Sequence, residues 1–273
     1  MHIWFTENQT EDVSLGLRVQ SVLWHEQTAY QELAVLDTKA YGRMLTLDGA
    51  VQTTITDEFV YHEMITHVPL SLHLNPKKVA VIGGGDGGSI REILKHPSVE
   101  EAHLIEIDDK VVAASKRFFP EISVSLDHDK AFVHYTDGIA WVKEASNYDV
   151  IIVDSTDPVG PAEGLFKPEF YQSIFEALGE HGIMVAQSES PFLHPHLVQR
   201  VFHGVRSAFP TTRLYLASVP TYPSGLWSFT LGAKGEMTTQ VRPELFDMPT
   251  RYWTPKLQQS CFVLPRFIED LVR

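Results

Sequence analysis

Residues 79–106, VAVIGGGDGGSIREILKHPSVEEAHLIE, form the stretch that decides the fold of this chain. An apolar run at 79–82 is typical of a buried parallel strand, and the glycine-rich turn at 83–88 is followed by apolar residues at helical spacing. A second apolar run ends in Glu106, twenty positions after Asp86. Glycines let the backbone approach a ligand closely, and an acid at this place can accept hydrogen bonds from a ribose diol. The stretch therefore predicts a nucleoside-binding site.

The carboxylate of Asp86 is unusual in a glycine-rich turn of this kind. A loop that binds pyrophosphate should not carry a negative charge, because like charges about 4 Å apart at an effective dielectric of about 20 repel by roughly 4 kcal/mol. The turn therefore argues against a dinucleotide and favours a ligand that presents a cation.

Strand and helix patterns alternate along the chain after residue 78. The predicted strands lie near 79–83, 102–106, 131–135, 149–154, 182–187 and 212–217, and the predicted helices near 88–95, 109–118, 138–145, 167–178 and 195–208. Such alternation is typical of an α/β fold with a mostly parallel sheet covered by helices on both faces. Ligands of such sheets bind beyond the C-terminal ends of the strands.

The beginning of the chain predicts a different unit. Three extended runs, at 17–24, 30–36 and 44–47, follow one another with turn signals between them. Parallel α/β domains rarely begin with several consecutive strands, so we expect a small N-terminal antiparallel β domain over 1–56. This domain is also a candidate subunit interface, and 57–273 is expected to form the Rossmann-like catalytic domain.

A helix is predicted between these two units. It begins at Asp57 and is expected to end near Pro69, because proline cannot continue the hydrogen-bond pattern of a helix. Tyr61 and His62 lie on this helix. At the other end of the chain, a strand-like run at 227–231 is followed by short helical segments.

Four acidic residues are expected at the C-terminal ends of the first four parallel strands: Asp86, Glu106, Asp137 and Asp154. Because these ends meet at one edge of the sheet, the acids should surround the ligand crevice. A carboxylate that ends a buried apolar run, as Asp154 does, indicates function, whereas Asp137 also fits a helix cap. The long connection at 155–166 is a candidate lid over the crevice.

The composition favours an acidic globular protein with a sizeable core. The chain has 273 residues, of which 44% are apolar, and a formal net charge of −13. This charge disfavours nucleic acid as a partner and suits cationic ligands. The single Cys261 excludes an intrachain disulfide, and no signal peptide or membrane-length apolar run is visible. The sequence therefore predicts a cytoplasmic protein with no membrane partner and no metal site.

Several motifs occur together in one order along the chain. They are YGRMLTLDG (41–49), DEFVYHEM (57–64), GGGDGG (83–88), DSTDPVGPAEGLF (154–166), PTYPSG (220–225) and FVLPRF (262–267). In these motifs, which cover essentially the whole chain, the sequence resembles the polyamine aminopropyltransferases, most closely the spermidine synthases.

The resemblance implies a fold and a reaction. The fold would be a methyltransferase-type Rossmann domain behind an N-terminal β domain, assembled as a homodimer or homotetramer. In the reaction, decarboxylated S-adenosylmethionine would donate its aminopropyl group to putrescine, which gives spermidine and 5′-methylthioadenosine. The donor would be a co-substrate, and the enzyme would use no metal or redox cofactor.

The resemblance also implies roles for residues at the matching positions. The nucleoside would contact Gln31, Glu106, Asp137, Gly138 and Pro161. Asp86 would bind the terminal ammonium of the donor and border the amine site. The amine path would be lined by Tyr61, His62, Asp154, Ser155, Asp157 and Tyr222. Asp154 would be the general base, and Asp157 could anchor the distal ammonium of a diamine.

Other activities remain open at this point. The acceptor could be agmatine, cadaverine or spermidine, because the shape of the pocket decides between amines that differ by one or two methylenes. An S-adenosylmethionine-dependent amine N-methyltransferase would have to tolerate a donor carboxylate beside Asp86. A dinucleotide oxidoreductase meets the same difficulty. A non-catalytic polyamine-binding protein would have no use for a base at Asp154.

Overall fold

The computed structural model describes residues 3–156, 160–238 and 240–273, which form two β-sheets. The first sheet has five antiparallel strands that pair in chain order. These strands are β1 (Ile3–Asn8), β2 (Ser14–Gln27), β3 (Glu32–Thr38), β4 (Gly42–Leu47) and β5 (Ala50–Thr54). The three expected runs correspond to β2, β3 and β4. The edge strands β1 and β5 lie outside those runs, because five or six residues carry little periodic signal.

The second sheet confirms the predicted α/β architecture. Its strands are β6 (Lys78–Gly83), β7 (Glu101–Glu106), β8 (Ala131–Tyr135), β9 (Tyr148–Asp154), β10 (Leu178–Gln187), β11 (Thr211–Ser218) and β12 (Leu226–Ala233). In the described chain their order is β11-β12-β10-β9-β6-β7-β8. The pairs from β10 to β8 are parallel, whereas β12 pairs antiparallel with both β10 and β11.

Helices cover both faces of this sheet. They are α1 (Glu58–Leu72), α2 (Gly88–Ile93), α3 (Asp109–Phe118), α4 (Pro120–Ser123), α5 (Gly138–Glu144), α6 (Pro168–Ala177), α7 (Pro195–Ala208), α8 (Pro255–Ser260) and α9 (Arg266–Leu271). Successive residues of β6 point to opposite faces. Val79 and Val81 pack with α1 and α2, whereas Ala80 and Ile82 pack with α5, α6 and α7.

Helix α1 continues beyond the residue at which its end was predicted. The helix contains Pro69 and ends at Leu72. The proline removes one backbone donor, but Leu70 and Leu72 are buried in the core, and their packing stabilises the last turn. The hydroxyl of Ser71 also donates to the carbonyl of His67. Tertiary packing therefore overrides the local signal of the proline.

Among the residues that the structure describes, no helix is both long enough and apolar enough to cross a membrane.

Candidate active site

A cavity of about 400 Å³ lies at the C-terminal ends of β6, β7 and β9. Most of the predicted site residues line it: Gln31, Tyr61, His62, Asp86, Glu106, Asp137, Gly138, Asp154, Ser155 and Tyr222. Of these residues, Gln31 lies between β2 and β3 of the first sheet, and the predicted acids follow or end strands of the second sheet. Asp157 lies outside the described residues. Pro161 belongs to a 3-10 helix, Gly160–Phe166, but its side chain also lies outside the described part.

The glycine-rich turn brings the backbone close to two acidic side chains of the site. Gly84 has a φ of +69°, and a Cβ there would lie 2.7 Å from Oδ2 of Asp154. A Cβ at Gly85 would lie 2.8 Å from Oε2 of Glu106. The turn therefore needs these glycines because acidic side chains from two other strands pack against its backbone.

Asp154 is the last residue of β9 and is held by two hydroxyl groups. The hydroxyl of Tyr61 donates to Oδ1 at 2.6 Å, and the hydroxyl of Ser89 donates to Oδ2 at 2.8 Å. Burial raises the pKa of the Asp154 carboxyl, and the negative charge of Asp86 raises it further, whereas His62 and the two hydroxyls lower it. The net effect is a raised pKa, which makes this carboxylate a better proton acceptor than an exposed aspartate.

Asp86 contacts the backbone on one side and a histidine on the other. Its Oδ1 accepts the N–H of Gly88 at 2.8 Å, and its Oδ2 lies 3.2 Å from Nε2 of His62. The Nδ1 atom of the same ring lies 2.5 Å from Oε2 of Glu58, which Arg91 also contacts. The site thus contains an alternating row of charges that the sequence did not reveal.

Burial lowers the pKa of His62, but Asp86 and Glu58 raise it more, so the net pKa lies well above its ordinary value. Burial alone would raise the pKa of Glu58, yet His62 and Arg91 bring it down to about 2. Both directions indicate that Glu58 and His62 are ionised at neutral pH.

The opposite end of the cavity carries groups suited to a nucleoside. Burial raises the pKa of Glu106 to about 7, although the backbone N–H groups that contact its carboxylate act to lower it. The amide nitrogen of Gln31 donates to Asp108 at 3.0 Å, which orients the amide. The carboxylate of Asp137 accepts the N–H of Ile139 at 2.8 Å and caps α5.

Aromatic rings line the cavity beside Asp154. The rings of Tyr61 and Tyr222 lie 5.4 Å apart, and that of Trp227 lies 4.7 Å from Tyr222. The hydroxyl of Tyr222 donates to the carbonyl of Gln52 at 2.6 Å. Burial and nearby carboxylates, Asp154 among them, raise the pKa of both tyrosines, so the hydroxyls stay neutral. This wall can pack against an aliphatic chain.

Two buried polar atoms at the cavity have no hydrogen-bond partner among the described residues. They are the hydroxyl oxygen of Ser155 and Nε1 of Trp227. Buried polar groups are normally paired, so such atoms at a cavity are candidates for ligand contacts.

Sequence reasoning missed several residues that line the cavity, among them Glu7, Gln187, Glu189 and Trp227. Glu189 follows the end of β10 by two positions, so the rule used for the first four strands would also have found it. Its φ of +71° is rare for a residue with a side chain and is typical of functional sites. Glu7 comes from β1, and no local pattern connects it to the cavity.

Comparisons with known proteins cover the whole chain. A family model described as spermine/spermidine synthase domain matches residues 58–242, and one described as spermidine synthase tetramerisation domain matches residues 3–54. A polyamine aminopropyltransferase of Caldicellulosiruptor bescii is 57% identical over 275 residues, which is 100% of this chain and 99% of the relative. One of Desulforudis audaxviator is 51% identical, with 100% of both chains covered.

Two solved structures that are similar to this chain are both of spermidine synthases. A spermidine synthase in complex with the transition state analogue AdoDATO superposes with a TM-score of 0.96 at 38% identity, over 100% of this chain and 95% of that one. The spermidine synthase of Thermotoga maritima has a TM-score of 0.95 at 37% identity, over 100% and 94% of the two chains.

Proposed function

The chain belongs to the spermine/spermidine synthase family of polyamine aminopropyltransferases, and we propose that it transfers the aminopropyl group of decarboxylated S-adenosylmethionine to putrescine. One observation carries this proposal: Asp86 and Asp154 line the same cavity, beside a wall of aromatic rings. A site with two carboxylates suits a cationic donor and a cationic amine that must lie next to each other.

We propose that the donor binds at the end of the cavity that contains Glu106. There Glu106 accepts hydrogen bonds from the ribose hydroxyls, and Gln31 and Asp137 contact the rest of the nucleoside. Asp86 binds the terminal ammonium of the aminopropyl group. Gly138 and Pro161 complete this binding site in the proposal.

The amine then attacks the carbon next to the sulfonium sulfur. A carbon–nitrogen bond forms while the carbon–sulfur bond breaks, and the bonding electrons go to sulfur, which leaves as the neutral thioether of 5′-methylthioadenosine. The sulfonium is already a good leaving group, so the proposed reaction needs no metal or redox cofactor. The enzyme must align the amine with this carbon.

Asp154 accepts the proton that the attacking amine loses. A primary amine with a pKa of about 10.4 is mostly protonated at pH 7, and forming the free base costs about 4.6 kcal/mol. The raised pKa of Asp154 narrows the difference between its pKa and that of the amine, so proton transfer to the carboxylate costs less free energy. Hydrogen bonds from Tyr61 and Ser89 fix its two oxygens. Proton transfer and positioning of the amine thus use the same carboxylate.

Putrescine, in this proposal, extends from Asp154 along the rings of Tyr61 and Tyr222. The four methylenes pack on these rings, and Ser155 and Asp157 bind its polar ends. We also propose that residues 1–56 form a separate domain that joins subunits into a homodimer or homotetramer, and that 57–273 form the catalytic domain.

The test is a turnover assay with a panel of amines. The enzyme receives decarboxylated or intact S-adenosylmethionine together with putrescine, cadaverine, agmatine or spermidine, and products are identified by mass spectrometry. We expect spermidine and 5′-methylthioadenosine from putrescine and the decarboxylated donor, with the other amines slower. Preferential use of another amine would contradict the assignment of putrescine, and methylated amines from the intact donor would contradict aminopropyl transfer.

A further inference from the structure

The ring of His62 lies between two carboxylates in the interior of the protein. Its side chain is 3% exposed, with Nδ1 at 2.5 Å from Oε2 of Glu58 and Nε2 at 3.2 Å from Oδ2 of Asp86. An ionised carboxylate can only accept hydrogen bonds, so each ring nitrogen has to donate one. A ring that donates from both nitrogens carries a positive charge. The geometry therefore describes an imidazolium.

The alternative in which Glu58 is protonated does not fit its other contacts. Oε1 of Glu58 accepts from Arg91 at 3.1 Å, and Oε2 accepts from the same guanidinium at 2.8 Å. A two-pronged contact of this kind is the usual geometry of an ionised carboxylate with arginine. Glu58 is thus ionised, and His62 supplies the proton between them.

We propose that His62 is a positioning residue, a permanently charged ring that fixes the carboxylate of Asp86 and is itself held by Glu58 and Arg91. This inference rests on the proposed function, in which Asp86 binds the ammonium of the donor. It adds a role for His62 to the amine contact that the resemblance implied.

The space around the ring is shaped for this arrangement. A Cβ at Gly88 would overlap the ring of His62, so the last glycine of the turn leaves room for it. The ring of Tyr61 meets that of His62 edge to face, with centroids 5.6 Å apart. The N–H of Gly88 and the ring bind different oxygens of Asp86. The carboxylate is thereby held from two sides, with its orientation fixed before the donor arrives.

The titratable groups around His62 come from four parts of the fold. They are Glu58 and Tyr61 on α1, Asp86 in the turn after β6, Arg91 on α2 and Asp154 at the end of β9. His62 offsets the charge of Asp86, and Arg91 offsets that of Glu58. If the ring lost its charge, Glu58 and Asp86 would face each other across a neutral group.

The charge of the ring can be measured without turnover. Protein labelled with ¹³C at the Cε1 position of histidine is titrated by NMR, and the signal that is missing in His62→Gln identifies His62. We expect this signal to keep the imidazolium shift between about pH 5 and 8, where an ordinary histidine titrates near 6.5. In Glu58→Gln the same signal should titrate at a lower pH than in the wild type. A wild-type signal that titrates near 6.5 would overturn the proposal.

The positioning role is measured by kinetics. We expect Glu58→Gln and His62→Gln each to raise KM for the decarboxylated donor by about tenfold, the effect of losing one hydrogen bond between charged groups, with kcat changed much less. The double variant should show less than the product of the two single effects, because both changes disturb one arrangement.

The matched control is Glu63→Gln, which removes a buried carboxylate from the other side of the same helix and should leave the donor KM unchanged. If Glu58→Gln and His62→Gln lower only the melting temperature, like the control, His62 has a purely structural role and the inference fails. Absence of aminopropyl transfer by the wild-type enzyme would instead refute the proposed function, and the NMR result would still report the charge of the ring.

Discussion

Helix α1 carries buried polar residues on two sides that differ in what they contact. The cavity face, Glu58, Tyr61 and His62, contacts Asp86, Asp154 and Arg91. The tail face, Glu63 and His67, contacts the C-terminal part of the chain and α2. The carboxylate of Glu63 accepts the backbone N–H groups of residues 251, 252 and 253 at 2.7, 2.7 and 2.8 Å. The carboxylate on the cavity face, Glu58, therefore binds charged side chains, whereas the one on the tail face, Glu63, binds backbone.

The two histidines show what this difference does. His67 is as deeply buried as His62, but its Nδ1 lies 3.0 Å from Nε2 of His96 and only its Nε2 faces a carboxylate, at 3.0 Å from Glu92. Burial and the neighbouring His67 lower the pKa of His96, which can thus act as a neutral acceptor. The comparison teaches that two equally buried histidines can meet different partners. Both ring nitrogens of His62 face carboxylates, whereas those of His67 face one neutral imidazole and one carboxylate.

The largest expected effect comes from removing the carboxylate of Asp154, which Tyr61 of the cavity face contacts. We expect Asp154→Asn to fold normally and to lower kcat by roughly 10²–10⁴-fold, the usual contribution of a general base. Binding of 5′-methylthioadenosine should persist, which calorimetry can check. Turnover at the wild-type rate would show that Asp154 is not the base.

The tail face should respond in stability instead of turnover. We expect Glu63→Gln to lower the free energy of unfolding by about 3 kcal/mol, because the amide cannot accept all three backbone N–H groups. Thermal unfolding measures this loss, and KM and kcat at a temperature where the variant is folded should equal those of the wild type. A changed donor KM would erase the distinction between the two faces.

A third test concerns the choice of donor. We expect Asp86→Asn to bind the decarboxylated donor more weakly and to reduce the preference for this donor over S-adenosylmethionine by about ten- to a hundredfold. This loss of preference corresponds to less free energy than the roughly 4 kcal/mol by which two charges repel at that distance, because His62 offsets part of the repulsion. Both donors are compared by kcat/KM, and Asp137→Asn, a change at the nucleoside, should weaken them equally. Unchanged discrimination in Asp86→Asn would refute the electrostatic explanation.

The smallest expected effect is a pH dependence at the nucleoside end of the cavity. The pKa of Glu106 is raised to about 7, so its carboxylate is ionised above this pH and protonated below it. Since the ionised form accepts more hydrogen bonds from ribose, we expect affinity for 5′-methylthioadenosine to fall severalfold as pH drops through about 7. Calorimetry should show this dependence in the wild type and its absence in Glu106→Gln. A flat wild-type profile would contradict it.

Much of the fold could be predicted because its signals are local. The alternation of apolar runs and helical spacing predicted the strands from β6 to β11, and the turn at 83–88 predicted the start of α2. The insertion of β12 between β10 and β11 could not be predicted, because strand order depends on pairing between distant segments. The predicted end of α1 was wrong for a related reason. The core packing of Leu70 stabilises the last turn by more than Pro69 destabilises it.

The residues of the candidate site also fall into those that could be predicted from the sequence and those that could not. The positions of Asp86, Glu106 and Asp154 followed from one rule, because the C-terminal ends of parallel strands meet at one edge. Glu7 and Arg91 could not be found by that rule. They reach the cavity region only because the first sheet and α2 pack beside it. The resemblance to a family supplied Gln31 and Tyr222, whose local sequence carries no chemical signal.

By itself, the amino-acid sequence determined the α/β alternation, the acidic strand ends and the glycine turn, since each depends on residues a few positions apart. Only the tertiary structure decided that Glu58, His62 and Asp86 form one charged row. The protonation of a buried ring depends on the acceptors that packing brings to its nitrogens, and here one of them comes from a turn more than twenty residues away along the chain.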